Sequence, residues 1–442
     1  MTTQQAGDLD LTYGDQGDGL ARIPPLGNLD PDVYTLLIGP SAWANEGSAA
    51  LYGYNPDDPT QENKVFTRIH ADGRWDRATG HVPISKNQND PMPLNFDNFA
   101  TLCHTTGNAE GGLLTAGYAY YFEDDNLYQE IVVGRYTQHF LPWPGFADDG
   151  IATTRPVTRR AGQLLARNLN AKASDYRSAP KMALAAGLIR VVFNAKTETA
   201  DGELIEETLC VTLDPGSGIM VNALGPGLDR SRWALPTFQD KTLDPYRAVF
   251  LNDGGFFLLA AAGTSMYLLR FKANAELETS FAGVGFIELP LRHRQFGLAI
   301  KDELIVVSSG ATFNISVPSE TELYGFNFEG HQDERFRRTL KLPDGNLSLV
   351  HIAFDEQGRL VLAGQRYYRA GSDPQIHAEL RLARLLVDGT MDLSFGKDGF
   401  SDRNDYLWAS NGMHVNTQGI RVLTLMPVGD RPFYEMIARF LS

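Results

Sequence analysis

Along most of the chain, short apolar runs alternate with polar punctuation. The clearest are GRLVLAG (358–364), GFFLLAAAG (255–263) and ELIVVSSG (303–310). Each is followed, after a polar interval, by a second run: ELRLARLLVDG (379–389), MYLLRFKANA (266–275) and ELYGFNFEG (322–330). Runs this short, rich in β-branched and aromatic residues and bounded by Gly, Asp and Asn, predict antiparallel strands. The DG and EG dipeptides supply residues that tolerate a left-handed backbone at the tight turns between strands.

The strand pairs recur. DGTMDLSF (388–395) matches EGHQDERF (329–336) and NAELETSF (274–281), and GDLDLTYGDQGDGL (7–20) carries the same spacing in Asp10, Tyr13 and Gly17. The acid steps from 278 to 333 to 392, a period of roughly 55–60 residues, which marks an array or a propeller. Weaker copies pair VYTLLIGPSA (33–42) with KVFTRIHADGRWD (64–76), GGLLTAGYAYYF (111–122) with QEIVVGRYTQHF (129–140), and GLIRVVFNA (187–195) with EETLCVTLDPGSG (206–218). GIRVLTLMPVGD (419–430) and FYEMIARFLS (433–442) then begin a copy whose remainder lies at 8–23.

The expected fold is all-β: a seven-bladed β-propeller of four-stranded antiparallel blades in one domain, 1–442. Blades are expected at about 31–85, 93–154, 182–227, 246–290, 295–342, 346–400, and 415–442 plus 8–23. Sharing one blade between the two ends of the chain pairs the first strand with the last, so no sheet edge is left open.

FDEQGRLVLAG…LARLLVDGTMDLSFGKDGF resembles the delta-60 repeat, a bacterial β-propeller repeat with a strand ending in AG, a strand ending LARLxxDG, and then xxDxxFGxxG. The likeness is close over 346–400, good over 246–289, 295–342 and 7–20, and schematic over 31–226. Trp143 stands where the motif has its acid and Thr79 where it has Phe, and 206–227 lose the motif almost wholly. The resemblance implies a propeller and a structural module of large surface proteins and small stand-alone ones. It implies no catalytic residue.

The motif residues have an expected structural role. Asp10, Glu278, Asp333 and Asp392 stand three residues before Tyr13, Phe281, Phe336 and Phe395, the span of a turn. The carboxylates are expected to accept backbone N–H bonds across the loop, and the rings to fill the wedge between neighbouring sheets. Gly17, Gly285 and Gly399 would take positive φ or admit a close backbone. The competing reading is a ring of cation sites. One carboxylate per loop is few against the six to eight oxygens that calcium takes.

A formal charge of −15 makes nucleic acid a poor partner. Cys103 and Cys210 fall in strand-like runs and are read as two small buried thiols, without zinc-finger spacing. No signal-peptide pattern and no stretch of about 18 apolar residues is present. The expected location is the cytoplasm, or export without a cleaved signal peptide, and no transmembrane segment is expected.

The segment 155–181, RPVTRRAGQLLARNLNAKASDYRSAPK, breaks the strand rhythm. Ala161, Leu164, Leu165 and Leu169 fall at helical spacing. Its basic residues Arg155, Arg159, Arg160, Arg167, Lys172, Arg177 and Lys181 face one acid, Asp175. The helix is either laid on the acidic body or is a docking element for an acidic partner, through Arg159, Arg160 and Arg167.

Three long loops, 41–63, 228–246 and 402–416, carry Trp43, Tyr52, Tyr54, Trp233, Tyr406 and Trp408. These aromatics either pin the loops or stack against a sugar or peptide. The catalytic signal is thin: there is no HExxH, GxSxG or P-loop. His104, His139, His331 and His351 are read as ordinary strand or loop histidines. The adjacent pairs Asp57-Asp58, Asp124-Asp125 and Asp148-Asp149 are read as solvated turns. The expected function is a non-catalytic scaffold displaying loops to a protein or glycan partner, with no cofactor. The alternative is a metal-dependent hydrolase or lactonase-like propeller holding a divalent metal in its central channel.

Overall fold

The computed structural model describes residues 4–22, 47–53, 63–78, 82–83, 95–96, 101–104, 113–123, 126–137, 139, 141–147, 150–153, 180–198, 204–221, 232–234, 243–290, 295–310, 320–342, 346–369, 376–401, 407–428 and 431–442. Among them the chain is all-β, apart from a turn of 3₁₀ helix at Phe281–Gly283.

The described strands make seven antiparallel sheets, numbered here in chain order. Sheet 1 holds Gly47–Gly53, Asn63–Ile69 and Val82–Pro83. Sheet 2 is built on the long hairpin Leu113–Glu123 and Asn126–Tyr136. Sheet 3 holds Lys181–Ala185, Leu188–Glu198, Leu204–Leu213 and Arg232–Ala234. Sheet 4 holds Asp244–Phe250, Phe256–Ala262, Ser265–Phe271 and Phe286–Leu289. Sheet 5 holds Gln295–Lys301, Leu304–Gly310, Thr321–Asn327 and Gln332–Leu340. Sheet 6 holds Asn346–Phe354, Leu360–Arg369 and Ile376–Leu385, with a single fourth-strand bridge from Ala383 to Phe400. Sheet 7 holds Trp408–Asn416, Gly419–Val428, Arg431–Phe440 and, as its outer strand, Leu20–Arg22.

The chain forms two compact units, Met1–Pro83 with Leu291–Ser442, and Ile84–Pro290. Within each, successive sheets pack with their first strands side by side. In the first unit, 295–301 lies against 346–354, and 346–354 against 408–416; in the second, 181–185 lies against 244–250. This is the blade arrangement of a β-propeller. Sheets 3 to 7 read as blades through most of their length.

The apolar runs are continuous, not alternating, because both faces of each sheet are buried. In Leu360-Val361-Leu362-Ala363 successive side chains point to opposite faces. Leu360 and Leu362 join Val306, Leu323 and Leu349 between sheets 5 and 6. Val361 and Ala363 join Val422, Met436 and Phe440 between sheets 6 and 7. Gly364 ends the run because a side chain there would collide with the Ser348 carbonyl.

The two ends of the chain meet, as expected. Leu20, Ala21 and Arg22 pair with Ala438, Ile437 and Met436. Further out, the Asp10 amide donates to the Arg439 carbonyl at 2.8 Å, and the Leu441 amide to the Asp8 carbonyl at 2.9 Å.

The motif acids make the expected turns. Asp392 Oδ1 accepts from the Ser394 amide at 3.0 Å and hydroxyl at 2.6 Å. Asp10 Oδ1 takes the same pair of bonds from Thr12, at 3.0 and 2.6 Å. Glu278 reaches the Ser280 amide less closely, at 3.4 Å. Gly17, Gly285 and Gly399 have φ of 64°, 90° and 88°. The rings fill the wedges: Tyr13, Phe281, Phe336 and Phe395 are all fully buried. Phe336 of sheet 5 meets Phe354 of sheet 6 edge-on at 6.5 Å.

Several expectations need correction. Asp333 and Phe336 lie within a strand, Gln332–Leu340, not a turn. The strand bulges there, since Gly325 pairs with Asp333 and Leu323 with Arg338. That slack lets Asp333 still accept from the Arg335 amide at 3.1 Å. Residues 47–53, read as part of a loop, form a strand carrying Tyr52, paired with 63–69. Trp233 and Trp408 also stand in strands, opposite Cys210 and Leu425. Lys181 begins the first strand of sheet 3 instead of ending a helix. The rest of the insertion, 155–179 with Arg159, Arg160 and Arg167, lies outside the described residues.

Candidate functional site

Each sheet has two unlike ends. One carries the repeat turns, and the other the hairpins that join the second and third strands. The turn end is held by an arginine in the third strand that precedes the motif acid. Arg384 lies in the third strand of sheet 6, fully buried; its Nε donates to Asp392 at 2.7 Å while its guanidinium covers the Phe395 ring at 4.6 Å. Arg439 repeats this in sheet 7, pairing with Asp10 at 2.6 Å over Tyr13 at 4.4 Å. Burial works to raise the Asp392 and Asp10 carboxyls. The hydroxyl and amide of Ser394 or Thr12, together with the arginine, outweigh it and hold both below the usual aspartate range.

The diverged copies keep the backbone and change the chemistry. In sheet 2 Trp143 replaces the acid, and Arg135 stacks on its ring at 3.9 Å. In sheet 3 the Val221 amide donates to Thr212 at 2.9 Å, as that of Asp392 does to Arg384. Thr212 and Val221 thus stand where an arginine and an acid would be, and nothing in the residue types signals the turn. The turn end also ties sheet to sheet. Arg439 Nη1 donates to the Ala71 carbonyl at 2.7 Å, Arg190 Nη1 to Ala273 at 2.7 Å, and Lys301 Nζ to Glu356 at 2.9 Å. These contacts account for the motif residues as architecture.

The hairpin end of sheet 6 is different. Arg366 and Glu379 face each other across the hairpin. Glu379, wholly buried, accepts from Arg366 Nη1 at 2.8 Å and from Arg381 Nε at 2.7 Å. Arg366 lies 4.6 Å over the Tyr368 ring, and Tyr368 stacks on His377 at 5.5 Å. The Tyr367 hydroxyl donates to Gln365 Oε1, and burial pushes that phenol up to about 12. The Leu380 amide donates to the Leu407 carbonyl at 2.7 Å, which brings the backbone of Trp408 beside this cluster. In this patch two guanidiniums share one carboxylate. Half-buried aromatic rings lie against it.

In sheets 3 and 4 a second polar group sits at the hairpin end. Asn194 Nδ2 donates to Asp244 at 3.5 Å, and the Thr208 hydroxyl reaches Asn194 Oδ1 at 3.1 Å. Burial pushes the nearby Lys181 amine down to about 7; Arg247 lowers it further and Asp244 opposes. Sequence reasoning missed both groups because strand pairing, not spacing, assembles them.

Of the residues singled out as partner contacts, Trp233 and Trp408 have described backbone positions, while Trp43, Tyr54 and Tyr406 lie outside the described residues. His139 and His331 are exposed, whereas His351 is half-buried in the first strand of sheet 6. Cys210 is a buried free thiol, pushed up to about 12 by desolvation. Among the described residues no three His, Cys, Asp or Glu side chains are placed to hold a metal ion. No helix among them is long and apolar enough to cross a membrane.

No protein-family model matches the chain, and no curated protein matches it. Solved structures that resemble it include a protein of unknown function from Dyadobacter fermentans, at 13% identity and TM-score 0.41, covering 82% of this chain and 99% of that one. An acylaminoacyl peptidase from Pyrococcus horikoshii aligns at 10% identity and TM-score 0.46, over 93% of this chain and 52% of that one. The β-propeller domain of the trilobed protease from Pyrococcus furiosus aligns at 8% identity and TM-score 0.45, over 95% and 97%. What the sheets themselves establish is an all-β propeller architecture whose seventh sheet is completed by both ends of the chain.

Proposed function

We propose that this chain is a non-catalytic binding scaffold, a seven-bladed ring of delta-60-type repeats that presents its hairpin end to a protein or glycan. The observation that carries this reading is the division of labour between the two ends of sheet 6. At one end Arg384, Asp392 and Phe395 are consumed by the turn. At the other, Arg366, Glu379 and Arg381 place two cationic groups beside a stacked Tyr368–His377 pair. Rigid aromatic faces beside oriented guanidiniums suit a sugar acid or an acidic peptide, and cost little ordering on binding. The basic segment holding Arg159, Arg160 and Arg167 extends the same preference for acidic partners.

The test is a glycan array and an acidic-peptide array probed with the whole chain. Saturable binding is expected, lost in Tyr368→Ala and weakened by charge reversal at Arg159, Arg160 and Arg167, with melting nearly unchanged in the triple variant. Absence of binding on both arrays would end this reading. A stoichiometric divalent metal in the purified protein, with hydrolysis of lactones or esters that chelation abolishes, would replace it with the enzyme.

A further inference from the structure

Lys181, Asn194, Thr208 and Asp244 come together in the slot between sheets 3 and 4. Lys181 pairs with Val192 across the first two strands of sheet 3, and Asn194 with Thr208 across the next two. Val192 and Asn194 are two residues apart on one strand, so the Lys181 and Asn194 side chains share a face as diagonal neighbours. Diagonal neighbours lie roughly 7–8 Å apart, within reach of a side chain as long as lysine. Their face looks toward sheet 4, where Val192 and Cys210 pack with Leu243, Phe256 and Leu258.

Asp244, at the start of the first strand of sheet 4, completes the group. It accepts from Asn194 Nδ2 at 3.5 Å, and its charge acts on the Lys181 amine. The Thr208 hydroxyl stands 3.1 Å from Asn194 Oδ1 and beside the Leu243 carbonyl. The repeat does not require these residue types. Counted from the turn, the positions of Lys181, Asn194 and Thr208 carry Arg247, Ala261 and Met266 in sheet 4, and His351, Gln365 and Leu380 in sheet 6.

An amine, a carboxamide and a carboxylate so arranged are the parts of a transamidation. The amine attacks only in its neutral form. Burial in the apolar slot, and then the Arg247 guanidinium, push Lys181 down to about 7, so a large share of it is neutral at pH 7.

We propose that Lys181 Nζ becomes bonded to Asn194 Cγ, an intramolecular isopeptide cross-link between the first two strands of sheet 3, with Asp244 carrying the proton. The Lys181 nitrogen attacks Cγ. Asp244 takes the proton that the amine sheds and passes it to Nδ2, the atom it already touches. The Cγ–Nδ2 bond then breaks and ammonia leaves. One amine and one primary amide thus become one secondary amide and one ammonia, with no further reactant. The Thr208 hydroxyl turns to Oδ1 as negative charge gathers there. The product replaces an ionisable amine in an apolar slot with a neutral amide, and it pins the strand that opens sheet 3.

The test is the intact mass of the whole purified chain, followed by tryptic mapping. The mass is expected to fall short of the sequence by one ammonia. SAPKMALAAGLIR (178–190) and VVFNAK (191–196) are expected as one branched peptide, uncut at Lys181. Lys181→Met and Asn194→Ala should each show the full mass of their own sequence. Asp244→Ala should leave the two peptides separate in a chain that still melts cooperatively, and Asp244→Glu should restore the branch. Full mass with an unbranched map would overturn the proposal. So would loss of ammonia without the branch, which is a succinimide, or an Asp244→Ala chain that cross-links as readily as wild type. If Asp244→Ala does not fold, the wild-type mass and map decide by themselves.

Discussion

The Arg439 guanidinium lies 4.4 Å from the centre of the Tyr13 ring and donates to Thr12, 427 residues away in the chain. The last long strand and the first turn are therefore one packing unit, joined by a cation–π contact, an ion pair and a strand pairing. The seam is non-local, so it forms only after the intervening sheets are in place.

Tyr13→Ala should destabilise the protein by roughly 3–5 kcal/mol, the usual cost of removing a fully buried aromatic side chain. Removing residues 1–22 should cost at least as much, because the outer edge of 436–438 is then unpaired. Denaturant melts of the two variants check this. A truncated chain as stable as the parent would show that sheet 7 does not depend on its outer strand.

Asp392→Asn and Asp333→Asn separate buried from exposed pairing. Arg384 is 2% exposed and would be left as an uncompensated buried charge, so the first change should cost about 3–5 kcal/mol. Arg335 is 52% exposed, and the second should cost at most about 1 kcal/mol. The Asp392 contribution is present in full above the ordinary aspartate pKa, because the folded carboxyl is held lower. It is lost as pH falls through that depressed value. The gap in urea midpoint between Asp392→Asn and wild type should therefore be full at pH 7 and narrow only as pH falls below the ordinary aspartate range.

Gly73→Ala probes the seam from the other side. Gly73 has φ of +85°, and a Cβ there would meet the Gly14 nitrogen at 2.5 Å and the Tyr13 ring at 2.8 Å. Backbone strain alone costs on the order of 1–3 kcal/mol. The loss should be non-additive with Tyr13→Ala, since the smaller residue empties the space the new methyl needs. A double-mutant cycle measures it.

While its amine is not bonded to Asn194, Lys181 gives stability a pH dependence on the alkaline side. Its folded pKa, about 7, lies below the ordinary lysine value of 10.5, so between the two the unfolded chain binds the extra proton. Stability should rise with pH across that window, with a slope approaching about 1.4 kcal/mol per pH unit. Added to the unbonded Asn194→Ala chain, Lys181→Met should flatten the slope and raise stability at pH 7. Chemical denaturation at pH 7, 8.5 and 10 reads it directly.

Much of the fold was legible because a repeat states its pattern several times. The turn acids, the rings and the positive-φ glycines were readable in 274–285, 329–336, 388–399 and 8–17 because each role is local, needing three or four neighbouring residues. Asp333 shows the limit: the motif was right but its setting was not, since a bulge and not a loop supplies the slack. The turn after Thr212 shows the converse, with backbone hydrogen bonds recurring where no residue type marks them.

The candidate site was hardly legible. Arg366 and Glu379 are one ion pair because a hairpin register opposes them, and Trp408 nears them because Leu407 bonds to the next sheet. None of this has a spacing. The amino-acid sequence by itself determined the strand periodicity, the repeat and the sharing of one sheet between the chain ends, since hydrophobic alternation and turn chemistry act over a few residues. Only the tertiary structure decided which side chains face one another across the slots, such as Tyr13, Arg421, Arg439 and His414. Those neighbours come from strand pairing and sheet packing between segments far apart in the chain.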